Sequence, residues 1–470
     1  MKKPDSGIAE IITPRIEFDK GSILIDAHRW NDPVQNLVGE HFSFDERIGA
    51  YRSLAINYRN VVLPLHKNRV DYEDGARQFG EITSDIHDEL PPLRPYQQEA
   101  LDAWLGSGKR GCITLPTGSG KTRVALEAIA RAGRSTLVVV PTLDLVAQWL
   151  DTLTKGFSLT LGQWGGGQHN TEDITVSTYD SARIHVEREG SRFGTVIFDE
   201  CHHLPSEQYS WIAKMMIAPF RLGLSATPER SDGGELRLRQ LIGEEVYRSD
   251  IRSMRGSYLS DYEVCIESIP LDEEEWNHYK KYRTRYLNFV RDRKIDFSDP
   301  QGWANFLMEC HSSPEGRAAY QAYLSQNSIL RQSESKIRFL WKLLLEHRDE
   351  RVLIFTHDNA TAYHIGERFS LPVLTHQTKV KERRDMLGFF REGRWPWLVT
   401  SRVLNEGVDV PEVDIGIIVS GSGSVREHVQ RLGRLLRKGK RERAKLVELI
   451  SSGTGEEGRG RRRREHEAYR

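Results

Sequence analysis

The alternation of apolar and polar positions divides the chain into stretches of different periodicity. From residue 89 to about 269, short apolar runs rich in β-branched residues alternate with segments that have a helical pattern. The predicted strands of this stretch are GCITLP, TLVVVP, ITVST, TVIFDE and RLGLSA. Strands that are apolar on both faces and separated by helices are typical of a parallel sheet with helices on each side. We therefore predict an α/β lobe over residues 89–269.

A second stretch of the same kind begins at residue 335 and runs to about 455. Its predicted strands are RVLIFT, LPVLTH, WLVTS, VDIGIIVSG and AKLVELIS. Between the two lobes, residues 270–334 lose the strand pattern and are predicted to be a helical insert. Aromatic residues recur there at intervals of three and four, which marks one face of a helix and predicts that this face is core. They are Tyr279, Tyr282, Tyr286 and Phe289.

The two ends of the chain differ from these lobes. Residues 1–88 contain short apolar pieces such as GSILIDAHRW and YRNVVLPLHKN, and they are predicted to form a small mixed domain. Residues 456–470 are basic and of low complexity, which is typical of a flexible tail. The predicted fold class is therefore α/β, with two parallel-sheet lobes, a small mixed N-terminal domain and a helical insert.

Composition narrows the class of protein. The chain has 470 residues, of which 38% are hydrophobic and 29% charged, and this suits a soluble protein of several domains. No apolar run approaches the roughly 20 residues that span a bilayer, and the N-terminus lacks the apolar region of a signal peptide. The four cysteines form no CxxC pair, so neither a zinc ribbon nor a disulfide framework is predicted. We expect a cytoplasmic location, no membrane partner, and nucleic-acid contacts confined to local basic patches because the net charge is zero.

A glycine-rich segment, LPTGSGKT, follows the apolar strand GCIT and precedes the helical pattern RVALEAIARA. This is the context of a P-loop, in which backbone N–H groups surround phosphates, the lysine reaches the β- and γ-phosphates, and the next hydroxyl ligates Mg²⁺. Leu115 stands where the general motif has its first glycine. The predicted nucleotide-binding residues are Pro116, Thr117, Gly118, Ser119, Gly120, Lys121 and Thr122. ATP and Mg²⁺ are the expected ligands, with Thr122 on the metal.

A second apolar strand, TVIFDE, ends in Asp199 and Glu200. An acidic pair after apolar residues fits the Walker B pattern, in which Asp199 holds Mg²⁺ and Glu200 polarises the attacking water. The alternative is a pair of solvated carboxylates at the end of a strand. His202 and His203 are adjacent, so their side chains diverge, and we interpret His202 as a polar coupling residue rather than a zinc ligand.

The second lobe ends with EHVQRLGRLLRKGK, where Gln430, Arg434 and Arg437 fall at i, i+4 and i+7 on one helix face. Surface helices often carry arginines, so a solvated face is one interpretation. The other is a set of arginine fingers that stabilise the charge on a phosphoryl group during transfer. On that interpretation these three residues join Lys121 and Glu200 as catalytic residues.

The motifs occur in the order that is found in superfamily-two helicases. They are LRPYQ, LPTGSGKT, VVPTLDL, STYDS, DECH, SAT, VLIFTH, NEGVDVP and QRLGRLLR. Their spacing, and especially VSGSGSVREHVQRLGRLLR, resembles the XPB family, and residues 1 to about 455 are similar to an archaeal XPB-type DNA repair helicase. The resemblance implies two RecA-like lobes, a thumb-like helical insert, a damage-recognition-like N-terminal domain, and 3′-to-5′ movement on DNA driven by ATP.

The same resemblance implies roles for further residues. Arg94 and Gln97 stand where the family grips adenine, and Asp409, with Gly407, belongs to a lobe-two motif that links DNA to ATP. Residues that touch DNA or couple it to hydrolysis are implied to be Thr142, Thr178, Ser225 and Thr227.

A charge trio is the last feature that the resemblance implies. In the family an Arg-Glu-Asp trio after the Ser-Ala-Thr motif is thought to act at the strand junction. Here Arg230 and Asp232 flank Ser231, with Glu229 one position earlier, so the middle acid has moved or been lost. A solvated turn is the alternative.

Three functional hypotheses follow. The first is an ATP-dependent DNA helicase or translocase that opens forked, bubble or damaged duplex in nucleotide excision repair, as a monomeric motor with a possible nuclease partner. The second is the motor of a restriction-type or nuclease-coupled translocase, although no nuclease-like carboxylate cluster is evident outside the predicted ATP site. The third is a DNA-binding scaffold with an inactive ATPase, against which the intact Lys121, Asp199, Glu200 and Arg434 argue. The resemblance makes the expected host prokaryotic.

Overall fold

A computed structural model describes the chain over residues 13–82, 90–226, 234–249, 254, 261–299, 301–401, 413–420 and 443–458. The chain divides into two compact units. One comprises residues 1–115 and 120–249, and the other comprises residues 250–470 together with residues 116–119 of the glycine-rich loop. The first unit holds a small N-terminal sheet and a large sheet, and the second holds the helical insert and another large sheet.

The small N-terminal domain contains both strands and helices, as the prediction of a mixed domain requires. Its strands are β1 (Arg15–Asp19), β2 (Ser22–Asp26), β3 (Ser43–Asp45), β4 (Ala50–Leu54) and β5 (Glu73–Asp74). They lie in the order β3-β4-β2-β1-β5, with β1 and β5 parallel and the other neighbours antiparallel. Helices α1 (Asp32–Val38) and α2 (Tyr58–Lys67) bring Val34 and Leu65 into a core with Ile23 of β2.

The first large sheet corresponds to the first predicted α/β lobe. Its strands are β6 (Arg110–Thr114), β7 (Thr136–Val140), β8 (Leu161–Gly165), β9 (Gln168–Asn170), β10 (Ile174–Thr178), β11 (Thr195–Asp199), β12 (Phe220–Ser225) and β13 (Glu245–Arg248). They lie in the order β13-β6-β12-β11-β7-β10-β8-β9, and all neighbours are parallel except β8 and β9. Its helices are α3 (Pro95–Gly106), α4 (Lys121–Ala132), α5 (Leu143–Gly156), α6 (Tyr179–Glu189), α7 (Ser210–Lys214) and α8 (Glu235–Leu241).

The sequence pattern of this lobe has a simple physical cause. Strands β7, β10 and β11 are buried at every position, as expected of parallel strands that helices cover on both faces. The polar residues of the candidate site therefore lie at the carboxyl ends of the strands or just after them. Because neighbouring strands are parallel, the ends of β6, β12, β11, β7 and β10 form one continuous edge of the sheet. Ligands of open α/β sheets bind at this carboxyl edge.

The helical insert consists of three helices after a well-defined start. These are α9 (Glu273–Asp292), α10 (Gly302–Ser312) and α11 (Pro314–Arg331). Asp272 caps α9 by accepting a hydrogen bond from the backbone N–H of Glu275 at 2.9 Å. The predicted aromatic stripe faces inwards: Tyr279 and Phe289 are buried, and Tyr286 packs against the small core that contains Phe289.

The second large sheet is parallel throughout, as predicted. Its strands are β14 (Asp261–Ile269), β15 (Val352–Phe355), β16 (Val373–Leu374), β17 (Trp397–Thr400), β18 (Ile415–Ile418) and β19 (Arg443–Ser451). They lie in the order β14-β19-β18-β15-β17-β16. Its helices are α12 (Glu334–Glu346), α13 (Asn359–Phe369) and α14 (Val380–Arg391). The two parallel-sheet lobes, the small mixed domain and the insert together confirm the predicted fold class.

One domain boundary predicted from the sequence is wrong. Residues up to 269 were assigned to the first lobe, but β14 pairs along its whole length with β19, from Asp261 opposite Arg443 to Ile269 opposite Ser451. This strand therefore belongs to the second sheet, and the first sheet ends with β13. The apolar pattern of a strand indicates that it pairs but does not indicate with which sheet, because the partner lies far away in sequence.

Candidate functional site

The glycine-rich loop after β6 has the backbone that phosphate binding requires. Gly118 and Gly120 adopt φ angles of +84° and +83°, in the left-handed region that favours glycine. Gly120 is the N-cap of α4, so the helix begins at Lys121. The first N–H groups of the helix therefore point toward the loop that precedes it. A Cβ on Gly120 would lie 2.5 Å from Nε2 of Gln97, so the Gln97 side chain would have to move to admit it. Free N–H groups and the positive end of the helix dipole suit an anion.

The polar groups of the loop are held in place without filling it. Lys121 Nζ donates to the carbonyl of Leu115 at 3.2 Å, and Ser119 Oγ donates to the carbonyl of Pro116 at 2.7 Å. Thr117 Oγ1 is buried and has no hydrogen-bond partner among the described residues. A buried hydroxyl without a partner is costly. The loop therefore fits a bound phosphate chain, which would supply acceptors for such groups.

Gln97 joins the loop to the start of α3. Its Oε1 accepts from the backbone N–H of Arg94 at 2.9 Å, and its Nε2 donates to the carbonyl of Gly120 at 3.4 Å. Its side chain is buried. The structure thus brings Gln97 into contact with the phosphate loop, with Arg94 beside it.

Asp199 is a buried carboxylate at the end of β11. Its Oδ2 accepts from Trp149 Nε1 at 2.9 Å, and its Oδ1 accepts from the backbone N–H of Glu200 at 3.0 Å. Burial and, after it, the negative charge of Glu200 raise the pKa of Asp199 to about 6, and the charge of Lys121 opposes this rise. A buried carboxylate that is short of positive charge fits a cation ligand, so Asp199 and the hydroxyl of Thr122 suit Mg²⁺.

Glu200 has an unusual backbone for a residue with a side chain. Its φ of +46° lies in the left-handed region, which is sparsely populated by residues other than glycine and is found at functional sites. Its Oε2 is buried and receives no hydrogen bond from the described residues. This geometry leaves a carboxylate oxygen able to accept a proton or a hydrogen bond from a water molecule.

His202 connects Glu200 with the end of the neighbouring strand. It is fully buried, and its Nδ1 lies 3.4 Å from Glu200 Oε2 and 3.3 Å from Ser225 Oγ. Ser225 is the last residue of β12, opposite Thr114 of β6. No group of three or more His, Cys, Asp or Glu side chains in the described part of the chain could hold a metal ion. The contacts suit the predicted coupling role of His202.

Thr142 and Thr178 lie at the starts of the helices that follow two adjacent strands, β7 and β10. Each is a helix N-cap: Thr142 Oγ1 accepts from the backbone N–H of Leu145 at 3.3 Å, and Thr178 Oγ1 accepts from that of Ser181 at 3.2 Å. Their hydroxyls are therefore used by α5 and α6. If these segments contact DNA phosphates, the remaining N–H groups of the two helix ends are the natural donors.

Two residues that sequence reasoning missed reach the candidate metal ligand. Trp149 of α5 donates to the Asp199 carboxylate, and Tyr179 of α6 donates its hydroxyl proton to the Asp199 backbone carbonyl at 3.0 Å. Both side chains are almost completely buried. The available signal was chemical, since a buried Trp or Tyr needs a partner for its polar tip, but sequence does not identify that partner.

Several predicted site residues lie outside the described residues. They are Thr227, Glu229, Arg230, Ser231, Asp232, Gly407, Asp409, Gln430, Arg434 and Arg437. Their roles remain predictions from the resemblance. The structure brings together Lys121, Asp199, Glu200, His202 and Ser225 at the carboxyl edge of the first large sheet.

Three family models match this chain. Residues 16–76 match the xeroderma pigmentosum group B helicase damage recognition domain, residues 90–230 match the res subunit of type III restriction enzymes, and residues 335–439 match the helicase conserved C-terminal domain. The first lies within the small N-terminal domain, and the other two fall on the two large sheets.

Relatives extend the match over almost the whole chain. The DNA 3′-5′ translocase XPB2 of Sulfurisphaera tokodaii is 37% identical over 454 residues, which cover 96% of this chain and 99% of the relative. The DNA 3′-5′ helicase XPB of Kineococcus radiotolerans is 30% identical over 415 residues, which cover 85% of this chain and 66% of the relative. Both carry XPB names, which favours the helicase hypothesis over the restriction-type motor.

A solved structure agrees with the fold. The helicase domain of Pyrococcus furiosus Hef has a TM-score of 0.50 and 18% identity, and the match covers 78% of this chain and 97% of that one. The described helices include none that is both long and apolar enough to cross a membrane.

With two RecA-like lobes, a P-loop followed by an acidic strand end, and near full-length similarity to an XPB protein, the chain belongs to the XPB-type superfamily-two helicases and is an ATP-dependent DNA helicase.

Proposed function

We propose that this protein moves 3′-to-5′ along DNA and opens forked, bubble or damaged duplex during nucleotide excision repair. The observation that carries the proposal is the similarity to a DNA 3′-5′ translocase over 96% of the chain. The match of residues 16–76 to a damage recognition domain supports the link to repair. A chain that acts on the genome works inside the cell, and relatives in prokaryotes support a prokaryotic host.

The phosphoryl chemistry is assigned to residues at the carboxyl edge of the first large sheet. The loop of residues 116–122 binds the phosphates through the N–H groups of residues 117–122 and the Lys121 ammonium, and Lys121 neutralises charge that develops during transfer. Thr122 and Asp199 hold Mg²⁺, which supplies Lewis acidity at the phosphates when it is bound. Glu200 accepts the proton of the attacking water, a role proposed from its place next to Asp199 at the acidic end of β11.

Residues that complete the site are proposed from the resemblance. Arg94 and Gln97 bind the adenine, and the latter already contacts the phosphate loop. Gln430, Arg434 and Arg437 from the second lobe stabilise the transferring phosphoryl group, and an arginine in this role contributes on the order of 10³-fold or more. Asp409 links this group to DNA.

The DNA path is proposed to follow the helix ends at the same sheet edge. Thr142 and Thr178 cap α5 and α6, whose first N–H groups face phosphates of the tracking strand. Ser225 and Thr227 couple this contact to hydrolysis, and Ser225 lies against His202. Arg230 and Asp232 follow on the same segment and act where the strands part.

Partners beyond DNA are proposed from the family alone. A nuclease that cuts the opened strand would complete the repair reaction, since a helicase exposes single strands without breaking them. The motor is proposed to act as a monomer, because one chain carries both helicase-type family matches.

Polarity is tested with two partial duplexes that differ only in which end carries the single-stranded tail. We expect release of the labelled strand from the substrate with a 3′ tail, with ATP and Mg²⁺ present, and little release from the substrate with a 5′ tail. Preference for the 5′ tail would refute the proposed direction. A protein that hydrolyses ATP on both substrates yet releases neither strand would refute duplex opening itself.

A further inference from the structure

Two buried hydrogen bonds connect α5 and α6 to Asp199, one to its carboxylate and one to its backbone carbonyl. We infer that Trp149 and Tyr179 are positioning residues that transmit DNA binding at the starts of α5 and α6 to Asp199. The inference rests on the proposed function, because it takes Asp199 as a metal ligand and the two helix ends as DNA contacts. It adds a specific physical link between these sites within one lobe.

The sheet topology places the three relevant positions side by side. Strands β11, β7 and β10 are neighbours in that order, and all of them are parallel. Asp199 ends β11, Thr142 follows the end of β7, and Thr178 ends β10. The candidate metal ligand and the two helix caps therefore share one edge of the sheet.

The link through α5 runs along a rigid helix. Trp149 is seven residues after Thr142, which is about two helical turns. Its ring is 1% exposed, and Nε1 donates to Asp199 Oδ2 at 2.9 Å. A helix moves largely as a unit when its end is pulled toward a phosphate. A small displacement of α5 would therefore change the position of the Trp149 N–H and with it the orientation of the carboxylate.

The link through α6 is shorter. Tyr179 is the residue directly after Thr178, it is 2% exposed, and its hydroxyl donates to the backbone carbonyl of Asp199 at 3.0 Å. This bond holds the end of β11 at the point where Glu200 takes up its left-handed backbone conformation. Side chain and backbone of Asp199 are thus fixed by different helices, both of which start at the proposed DNA path.

The close packing around these bonds favours transmission of a displacement of α5 or α6 to Asp199 over its absorption by local rearrangement. Tyr179 lies in the buried core of the lobe with Phe198 and Cys201, the residues that flank the acidic pair. Interiors of this kind are packed like organic crystals and transmit small shifts. Two bonds reach one residue, and both come from helices that begin at the proposed DNA path.

The test compares Trp149→Phe, Tyr179→Phe and the double variant with wild type. Each change removes one N–H or O–H donor and keeps an aromatic ring. Trp104→Phe is the matched control, because Trp104 is equally buried and its Nε1 donates at 2.9 Å to the carbonyl of Arg221, away from Asp199. Thermal unfolding of all variants checks that they fold.

The decisive readout is the ratio of ATP turnover with forked DNA to turnover without DNA. We expect this ratio to fall at least about fivefold in each single variant and further in the double variant. The DNA dissociation constant of these variants, measured without nucleotide, should stay near the wild-type value. The turnover ratio of Trp104→Phe should also stay near wild type. The Mg²⁺ concentration for half-maximal turnover should rise. Equal losses with and without DNA would overturn the inference and reduce both residues to structural support.

A binding measurement gives the same answer without turnover. Coupling between two ligands is reciprocal, so Mg²⁺ with a non-hydrolysable ATP analogue should change the DNA affinity of the wild type by some factor. In the variants this factor should shrink toward one. A factor that is unchanged in the double variant would contradict the inference. If the wild type itself lacks DNA-stimulated turnover, it is the proposed function that fails, so the two failures are distinguishable.

Discussion

Replacing Lys121 with alanine is expected to lower ATP turnover by on the order of 10²- to 10³-fold or more, the typical cost of losing one preorganised donor to a transition-state charge. The side chain projects from the first residue of α4 and is held by the carbonyl of Leu115, at the end of the loop whose glycines have left-handed backbones. No other described ammonium group takes this place in the loop. DNA affinity without nucleotide should stay near wild type, because the proposed DNA contacts lie on α5 and α6.

The matched control for this variant is Lys155→Ala. Lys155 is an exposed lysine of the same lobe that pairs with Asp151 at 2.6 Å on the surface of α5. An exposed pair contributes little, so turnover in the control should be unchanged. Turnover is measured at saturating ATP and DNA. DNA-stimulated turnover of Lys121→Ala near the wild-type rate would place the phosphate site elsewhere.

Replacing Glu200 with glutamine is expected to separate nucleotide binding from hydrolysis. The amide keeps the size of the side chain but is a poor acceptor for the proton of water, and general-base catalysis contributes typically 10²- to 10⁴-fold. Turnover should therefore fall by on the order of 10²-fold or more, whereas ATP affinity should change little, because Glu200 is not proposed to hold the phosphates. The variant should also bind DNA.

The control here is Glu127→Gln. Glu127 is a partly buried glutamate of the same lobe, on α4, and it pairs with Arg123 at 2.8 Å. Removing that pair should leave catalysis intact. Nucleotide affinity is measured with a fluorescent ATP analogue and turnover by phosphate release. Equal weakening of ATP binding and turnover in Glu200→Gln would show that this carboxylate acts in binding rather than as the base.

Local features of the site could be predicted from the sequence because they depend on neighbours in the chain. Gly118 and Gly120 were predicted to turn the loop inwards, and their φ angles of +84° and +83° do so. The sequence likewise predicts the strand before the loop, the helix after it and the acidic end of β11, because each follows from a short run of residues.

Features that depend on distant partners could not be predicted. No strand is predicted from the sequence over residues 261–269, and the pairing of β14 with β19, nearly two hundred residues later, places it in the second large sheet. The sequence assigns no role to Trp149 or Tyr179, and only the fold brings both side chains to Asp199. In both cases the missing information was the identity of the tertiary partner.

Steady-state ATP hydrolysis by the wild-type chain, measured with and without forked DNA, tests the central claim most directly. That claim is that DNA bound at the starts of α5 and α6 accelerates phosphoryl transfer at Lys121, Asp199 and Glu200. With saturating ATP and Mg²⁺, we predict that DNA raises kcat by on the order of tenfold or more, which corresponds to about 1.4 kcal/mol or more of the barrier. An unchanged kcat under conditions in which DNA is demonstrably bound would contradict the account.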